Sequence, residues 1–178
     1  MNKIIFFLLF TLALSCGENK KLNQTTIDEE ENTIMLIGEA NRSGLQQEMF
    51  KDWFTINYDN YKTDDSLIDY ISTEIKDIQI KLFIGTWCED SQNYTPEIYK
   101  ILDEANFDFN QLELIAVDRD KMTPTNHHIG LDIVYIPSML FFKNGKELNR
   151  IVEYPRGTFE QDILKIIRGE DYKHAYFE

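Results

Sequence analysis

Cysteine is scarce in this chain. There are two, Cys16 and Cys88, so at most one disulfide is available. Positive charge is scarce as well: 18 Lys and Arg stand against 31 Asp and Glu, for a formal net charge of −13. No basic face is available to displace counterions from phosphates, which argues against a nucleic-acid partner. The same imbalance argues against an electrostatic grip on an anionic membrane surface. No apolar run approaches the roughly twenty residues of a spanning helix; the longest covers 4–14. Histidines are few. His127 and His128 are neighbours and His174 lies in the tail, so all three read as solvated side chains and no metal site is expected. No Gly-rich phosphate loop and no Ser-His-Asp order occurs, and nothing calls for a cofactor.

What is present is the composition of a folded domain, 43% hydrophobic and 13% aromatic. The N-terminus carries Lys3, then the apolar stretch 4–14, then Ser15 and Cys16. A positive n-region, a short h-region and a small residue make a cleavable signal. With cysteine directly after the small residue, the stretch resembles a bacterial lipoprotein signal, although Ala13 stands where leucine is usual. That resemblance implies cleavage after residue 15 and lipidation of Cys16. An ordinary secretory signal with an incidental Cys16 is the alternative. In neither case is Cys16 left to pair with Cys88. Residues 16–33 are polar, charged and aperiodic, which predicts a flexible tether.

Further on, 34–38 reads as a short strand. Ser43 and Gln46 have the form of a capping box, and apolar residues at spacings of three and four predict a helix over 43–58. A second helix containing Leu67, Ile68, Ile71 and Ile75 is capped by Asp64 or Asp65. These elements, 34–77, form an N-terminal extension packed on a domain at 78–178. In that domain 80–85 is a strand, 91–105 a helix kinked at Pro96, and 112–117 a buried strand ended by Asp118-Arg119-Asp120. Residues 121–130 are loop or short helix. Asn144-Gly145 between two apolar runs signals a hairpin. Thr158 and Gln161 cap a last helix that ends at Gly169.

Residues 82–91 read Leu-Phe-Ile-Gly-Thr-Trp-Cys-Glu-Asp-Ser. A buried strand here runs through a turn into a helix, with Cys88 at the helix N-terminus. Free backbone N–H groups and the helix dipole favour a thiolate at such a place, while Glu89 and Asp90 oppose it. Trp87-Cys88, Val117-Asp118, Ile136-Pro137 and Phe141-Phe142-Lys143-Asn144-Gly145 occur in the order and spacing of the thioredoxin superfamily, which residues 78–168 resemble. Taken whole, the sequence looks like small thioredoxin-family lipoproteins of Gram-negative bacteria. The resemblance implies an α/β thioredoxin-like fold: a central mixed sheet flanked by helices, here with an N-terminal helical extension. It also implies a cis Ile136-Pro137 bond whose loop faces Cys88.

The chain departs from the superfamily at Ser91, where the second cysteine of Trp-Cys-x-x-Cys belongs, and at Leu82, where dithiol thioredoxins place a buried Asp. A dithiol protein releases its client by closing an internal disulfide. Ser91 cannot do this, and a copper-delivery relative would also need the missing thiol. The expected function is therefore that of a single-thiol thiol-disulfide oxidoreductase acting through Cys88 on protein disulfides or sulfenic acids. Ser91 would hydrogen-bond the thiolate, while Trp87, Ile136 and Pro137 would form an apolar platform for the client. The partners are client thiols or disulfides, an external reducing thiol or protein, and the membrane through the lipid anchor alone. The expected location is the cell envelope, facing the periplasm. The alternative is a redox-inactive thioredoxin-fold module that binds a peptide or protein.

Overall fold

The computed structural model describes residues 21–177. The signal peptide, Cys16 and the first part of the expected tether lie outside the described residues. The elements are β1 (Thr25–Asp28), β2 (Thr33–Leu36), β3 (Gly38–Ala40), α1 (Arg42–Leu45), α2 (Lys51–Asn60), α3 (Asp65–Glu74), β4 (Gln79–Ile84), α4 (Glu89–Glu104), β5 (Leu112–Ala116), β6 (Ser138–Lys143), β7 (Lys146–Val152) and α5 (Phe159–Ile167). A five-stranded sheet has the order β3-β5-β4-β6-β7, and β1 and β2 form a separate antiparallel hairpin.

Two expectations for the N-terminal part need correction. The tether does not extend to residue 33. Residues 25–28 form a strand with Thr25 opposite Leu36 and Asp28 opposite Thr33, because Asp28 has a distant partner that no local pattern announces. The helix expected over 43–58 is two helices. Asn41, not Ser43, caps α1, its side chain accepting from the N–H of Ser43 and of Gly44. The chain then turns so that both Leu45 and Phe50 reach the core. In the five-stranded sheet β3 pairs antiparallel with β5, and the parallel pair is β4 with β5.

The rest follows the local signals. Asp64 caps α3, and Thr158 with Gln161 makes a reciprocal capping box on α5. Asn144 and Gly145 both have positive φ, as a two-residue hairpin between β6 and β7 requires. Pro96 sits inside α4 and leaves the Gln92 carbonyl without its helical donor. Asn57 on α2 supplies one instead, Nδ2 to the Gln92 oxygen at 3.0 Å.

Strand residues alternate between two cores. Ile80, Leu82, Ile84, Leu114, Ala116, Met139 and Phe141 join a large cluster with side chains of α2 to α5. Phe83, Ile115, Val117 and Leu140 join a smaller cluster with Ile136, Leu131, Ile133, Trp87 and Cys88. The cover over this second cluster comes from the connection 118–137, which holds no helix.

Candidate active site

The site begins where β4 ends. The chain turns tightly after Ile84, with the Cys88 N–H donating to the Gly85 carbonyl at 2.9 Å. Residue 85 must be glycine: a Cβ there would stand 2.6 Å from Cε2 of Trp87 and 2.8 Å from Cδ1 of Ile136. The indole therefore lies flat over the turn, beside the Ile136 side chain. Its Nε1–H donates to the Val117 carbonyl at 2.9 Å. Buried Thr86 accepts from the Leu36 N–H through Oγ1 at 3.1 Å, which fastens the β1–β2 hairpin to the same turn. Gln92 reaches back, Nε2 to the Thr86 carbonyl at 2.7 Å.

Cys88 is the N-cap residue of α4, with extended backbone and no side-chain cap bond. It is half-buried and is a free thiol. Its Sγ lies 3.7 Å from the Ile136 carbonyl oxygen, in reach of a weak S–H donor. The Ile136-Pro137 bond is cis. Cys88, Trp87, Ile136 and Pro137 are thus brought together, as the sequence led one to expect.

Ser91 is placed differently from expectation. It is fully buried, and its Oγ accepts from the Gly85 N–H at 3.2 Å and makes no hydrogen bond with the Cys88 sulfur. It braces the turn from beneath. Ser91 fits because a hydroxyl one helical turn after Cys88 meets the backbone of the strand end and satisfies an N–H that would otherwise be buried unpaired.

Arg119 escaped sequence reasoning as a site residue. Its guanidinium stands 4.9 Å over the Trp87 ring, and Lys121 Nζ lies 5.7 Å from the same ring. Both carboxylate oxygens of Asp28 accept from Arg119, which also pairs with Glu30 and Glu31, each at 3.0 Å. The Arg119 bonds hold the Asp28 carboxyl below its usual range against the opposing effect of burial. The hairpin, the aromatic platform and the end of β5 are therefore one clasp. Its signal in the sequence is an arginine between two aspartates, but the partner lies 91 positions away.

The histidines are not solvated in the way expected. His127 is 18% exposed at its side chain, with Nδ1 2.9 Å from Glu113 and Nε2 3.2 Å from Glu39. Glu113 is also held by Lys81 at 2.6 Å. Burial raises the Glu113 carboxyl, and the Lys81 and His127 contacts outweigh it, so the net direction is down. His128 Nδ1 accepts from the Thr123 N–H at 3.2 Å. Burial lowers His174, with Arg150 acting in the same direction. The His127 ring is drawn in by partners from two strands, which spacing along the chain could not show. Glu39, Glu113 and His127 offer three ligand atoms within 4.8 Å of one another. No described helix is long and apolar enough to cross a membrane.

Among solved structures, a protein of unknown function from Pseudomonas aeruginosa is 16% identical, with 66% of this chain and 70% of that one covered at a TM-score of 0.42. Fasciola hepatica thioredoxin is 21% identical, covering 59% and 91% at 0.37. Oxidised mitochondrial thioredoxin 3 of Saccharomyces cerevisiae is 16% identical, covering 63% and 97% at 0.36. No curated protein matches the chain. The family profile for Thioredoxin matches residues 60–167, more than half of the sequence and all of the cysteine turn, cis-proline loop and hairpin just described, and the chain belongs to the thioredoxin family.

Proposed function

We propose that the protein is an extracytoplasmic single-thiol oxidoreductase, anchored by a lipid on Cys16, that reacts with client proteins through Cys88. The observation that carries this reading is the position of Cys88: a free thiol at the N-cap of a sixteen-residue helix, next to Trp87 and a cis-proline loop. The N-terminus of α4 offers unpaired N–H groups and its dipole to a sulfur anion.

The chemistry is a series of thiol exchanges. The Cys88 thiolate attacks a sulfur of a client disulfide, forming a Cys88–client S–S bond and expelling the other sulfur as a thiolate that takes up a proton. On a sulfenic acid the same attack expels hydroxide, which leaves as water after protonation. An external thiol, as thiolate, then attacks the Cys88 sulfur or the client sulfur of the mixed disulfide. Attack on the Cys88 sulfur frees the client as a thiol and leaves Cys88 joined to the external thiol; a second external thiol then attacks the external sulfur, freeing Cys88 and leaving the two external thiols joined as a disulfide, whereas attack on the client sulfur frees Cys88 and leaves the client joined to the external thiol. Ser91 has no thiol to take part in this exchange; its oxygen accepts from the Gly85 N–H. Trp87 and the Ile136 backbone hold the client beside the sulfur, and the tether leaves the domain free near the membrane.

The test incubates the full chain with a peptide carrying a mixed disulfide. Expected is a covalent Cys88–peptide adduct by mass spectrometry, reversed by an external thiol, absent in Cys88→Ser, and formed more slowly in Trp87→Ala. If Cys88 reacts only in denaturant, the redox reading fails and the binding-module alternative replaces it. For the anchor, radiolabelled fatty acid should mark the wild type; equal label on Cys16→Ala would refute it.

A further inference from the structure

The two sides of the cysteine turn are charged differently. On one, the Trp87 ring already has two cations over it, Arg119 at 4.9 Å and Lys121 at 5.7 Å. On the other, beyond the cis-proline loop, lies a group of exposed tyrosines. Tyr135 immediately precedes Ile136, whose carbonyl oxygen is 3.7 Å from the Cys88 sulfur. Tyr176, from the C-terminal tail, stacks on Tyr135 with ring centroids 4.1 Å apart. Tyr154 meets Tyr176 edge to face at 6.2 Å. Tyr135, Tyr154 and Tyr176 are 41%, 44% and 37% exposed.

The tail that brings Tyr176 here is fixed from beneath. Tyr172 is buried, and its hydroxyl donates to buried Asp162 at 2.9 Å, while Asn149 Nδ2 donates to the Tyr172 carbonyl at 2.8 Å. Residues 168–177 lie beyond the family match, which ends at 167, so this border of the site is the chain's own.

Carboxylates stand on the same side. Glu153 has a left-handed backbone, φ 58, which is uncommon for a residue with a Cβ. Its N–H donates to the Pro137 carbonyl at 2.7 Å, and its carboxylate accepts from the Tyr176 hydroxyl. Asp90 lies in the first turn of α4, and one turn further on Tyr94 packs against Phe159 of α5 at 5.5 Å. Burial raises the Tyr94 hydroxyl, and the charges of Asp90 and Glu153 act in the same direction. Both carboxylates therefore face this side of the turn. Among the described residues no Lys or Arg stands over Tyr135, Tyr154 or Tyr176; Lys173, in the same tail, is over Phe177 at 5.0 Å. A tyrosine face attracts a cation, and a neighbouring carboxylate adds its own charge. The side without a cation of its own is equipped to take one from a client.

We propose that Tyr135, Tyr154 and Tyr176, with Glu153 and Asp90, form a subsite for a Lys or Arg side chain of the client. The inference rests on the reading of Cys88 as the client-reactive thiol, and it names the class of client: a segment with basic residues beside its cysteine. The patch is continuous with the thiol through Tyr135 and Ile136, so a client sulfur at Cys88 and a long basic side chain close to it in sequence reach both at once. The cations over Trp87 repel the same side chain, which sets the direction in which the client lies across the sulfur.

The test uses two peptides that differ only in the residues flanking one cysteine, arginine in one and glutamate in the other. Binding to the full chain carrying Cys88→Ser is read by fluorescence anisotropy, so that no thiol chemistry is needed. The arginine peptide should bind about tenfold more tightly at low ionic strength, and the advantage should shrink as salt rises. Glu153→Gln and Tyr176→Ala should each cut the advantage to about threefold, while Tyr176→Phe, which keeps the ring, should retain most of it. Asp77→Asn removes the same charge as Glu153→Gln but just before β4, at the end of the strand away from Cys88, and should leave the advantage unchanged. Equal binding of the two peptides would overturn the proposal, as would an advantage kept in full by Glu153→Gln and Tyr176→Ala. A loss in Asp77→Asn as large as in Glu153→Gln would also overturn it, since overall negative charge would then be the attraction. Alkylation of the wild type by iodoacetamide tests the underlying reading separately. A Cys88 inert in the native state, with the arginine advantage intact, would refute the oxidoreductase and uphold the subsite as a docking surface for basic peptides.

Discussion

The two faces of the five-stranded sheet are covered in different ways. On one, Leu82, Ile84, Leu114 and Phe141 are buried with apolar side chains of α3, α4 and α5, among a large cluster. On the other, Phe83, Ile115 and Leu140 are as fully buried, but their cover is the connection 118–137 and the Trp87-Cys88 turn. Helices satisfy their own backbone groups; a connection without them depends on particular polar contacts. Here these are Arg119 to Asp28, His127 to Glu113, Thr123 to His127 and His128, and Arg150 to the Leu131 carbonyl. The Cys88 thiol lies against the face held this way. The large apolar cluster and the candidate site are thus divided between the faces, and segments rich in polar contacts and poor in apolar ones open first.

The largest effect that tests this division comes from one substitution made on each face. Leu82 and Leu140 are both fully buried on paired central strands and belong to different clusters. Leu82→Ala should cost about 4 kcal/mol and Leu140→Ala about 2–3 kcal/mol, because a connection collapses into a cavity more readily than packed helices do. Urea unfolding measures both, and equal costs would erase the distinction.

Next in size is the clasp. In Arg119→Ala the buried Asp28 loses its bidentate partner, and the β1 and β2 amides should exchange about tenfold faster while α5 stays protected. Exchange that rises everywhere alike would mean that the hairpin and the helix-covered face open as one unit. Arg150 offers a finer cut, since Nη1 donates to the Leu131 carbonyl at 2.6 Å and the guanidinium pairs with Glu147 at 2.7 Å. Arg150→Ala should loosen residues 121–136 by about 1 kcal/mol in local opening, with little change in β4.

The smallest effect belongs to the helix side and appears through pH. Burial first, and then the negative charge of Glu160, raise the Glu97 carboxyl from 4.5 to about 7. Glu160 is itself buried and accepts from the Tyr61 hydroxyl. Between 4.5 and about 7 the folded state binds more protons at Glu97 than the unfolded state does, so this group lowers stability as pH rises through that window. Glu97→Gln should remove that slope and add about 1 kcal/mol at pH above the window, after discounting for solvent screening. Asp28 and Glu113 act in the opposite sense. Their carboxyls are lowered, so their contribution is present above the unfolded values and is lost as pH falls. An unchanged slope in Glu97→Gln would leave the acidic cluster beneath α5 without energetic weight.

What could be read from the sequence was local. The Asn144-Gly145 turn, the Thr158 and Gln161 box and the Asp64 cap each rest on residues within a few positions of one another, and each is present as expected. The Trp87-Cys88 turn and the cis Ile136-Pro137 bond were legible through resemblance to a family. The single helix expected over 43–58 failed because its apolar spacing continues across the break between Gln46, which ends α1, and Phe50, which begins α2, while Asn41, Asn23 and Gly44 fix the start of α1. Asn23 Oδ1 stands where a Cβ on Gly44 would be, at 2.2 Å. The solvated reading of His127 failed because its partners Glu39 and Glu113 come from two strands, and nothing in the neighbourhood of 127 points to them.

By itself, the sequence determined that one cysteine, Cys88, lies in the domain, that a serine stands at residue 91 where a second cysteine would follow it, and that its strands and helices fall in a thioredoxin order. Those are matters of residue identity and of periods of two and about 3.6, which short-range sterics and hydrogen bonding impose. Only the tertiary structure decided that β3 runs antiparallel to β5, that Ser91 braces Gly85 rather than the sulfur, that Arg119 clasps a hairpin onto Trp87, and that two carboxylates close on His127. Each of these depends on which distant segments become neighbours, and that is settled by burying two faces of one sheet at once.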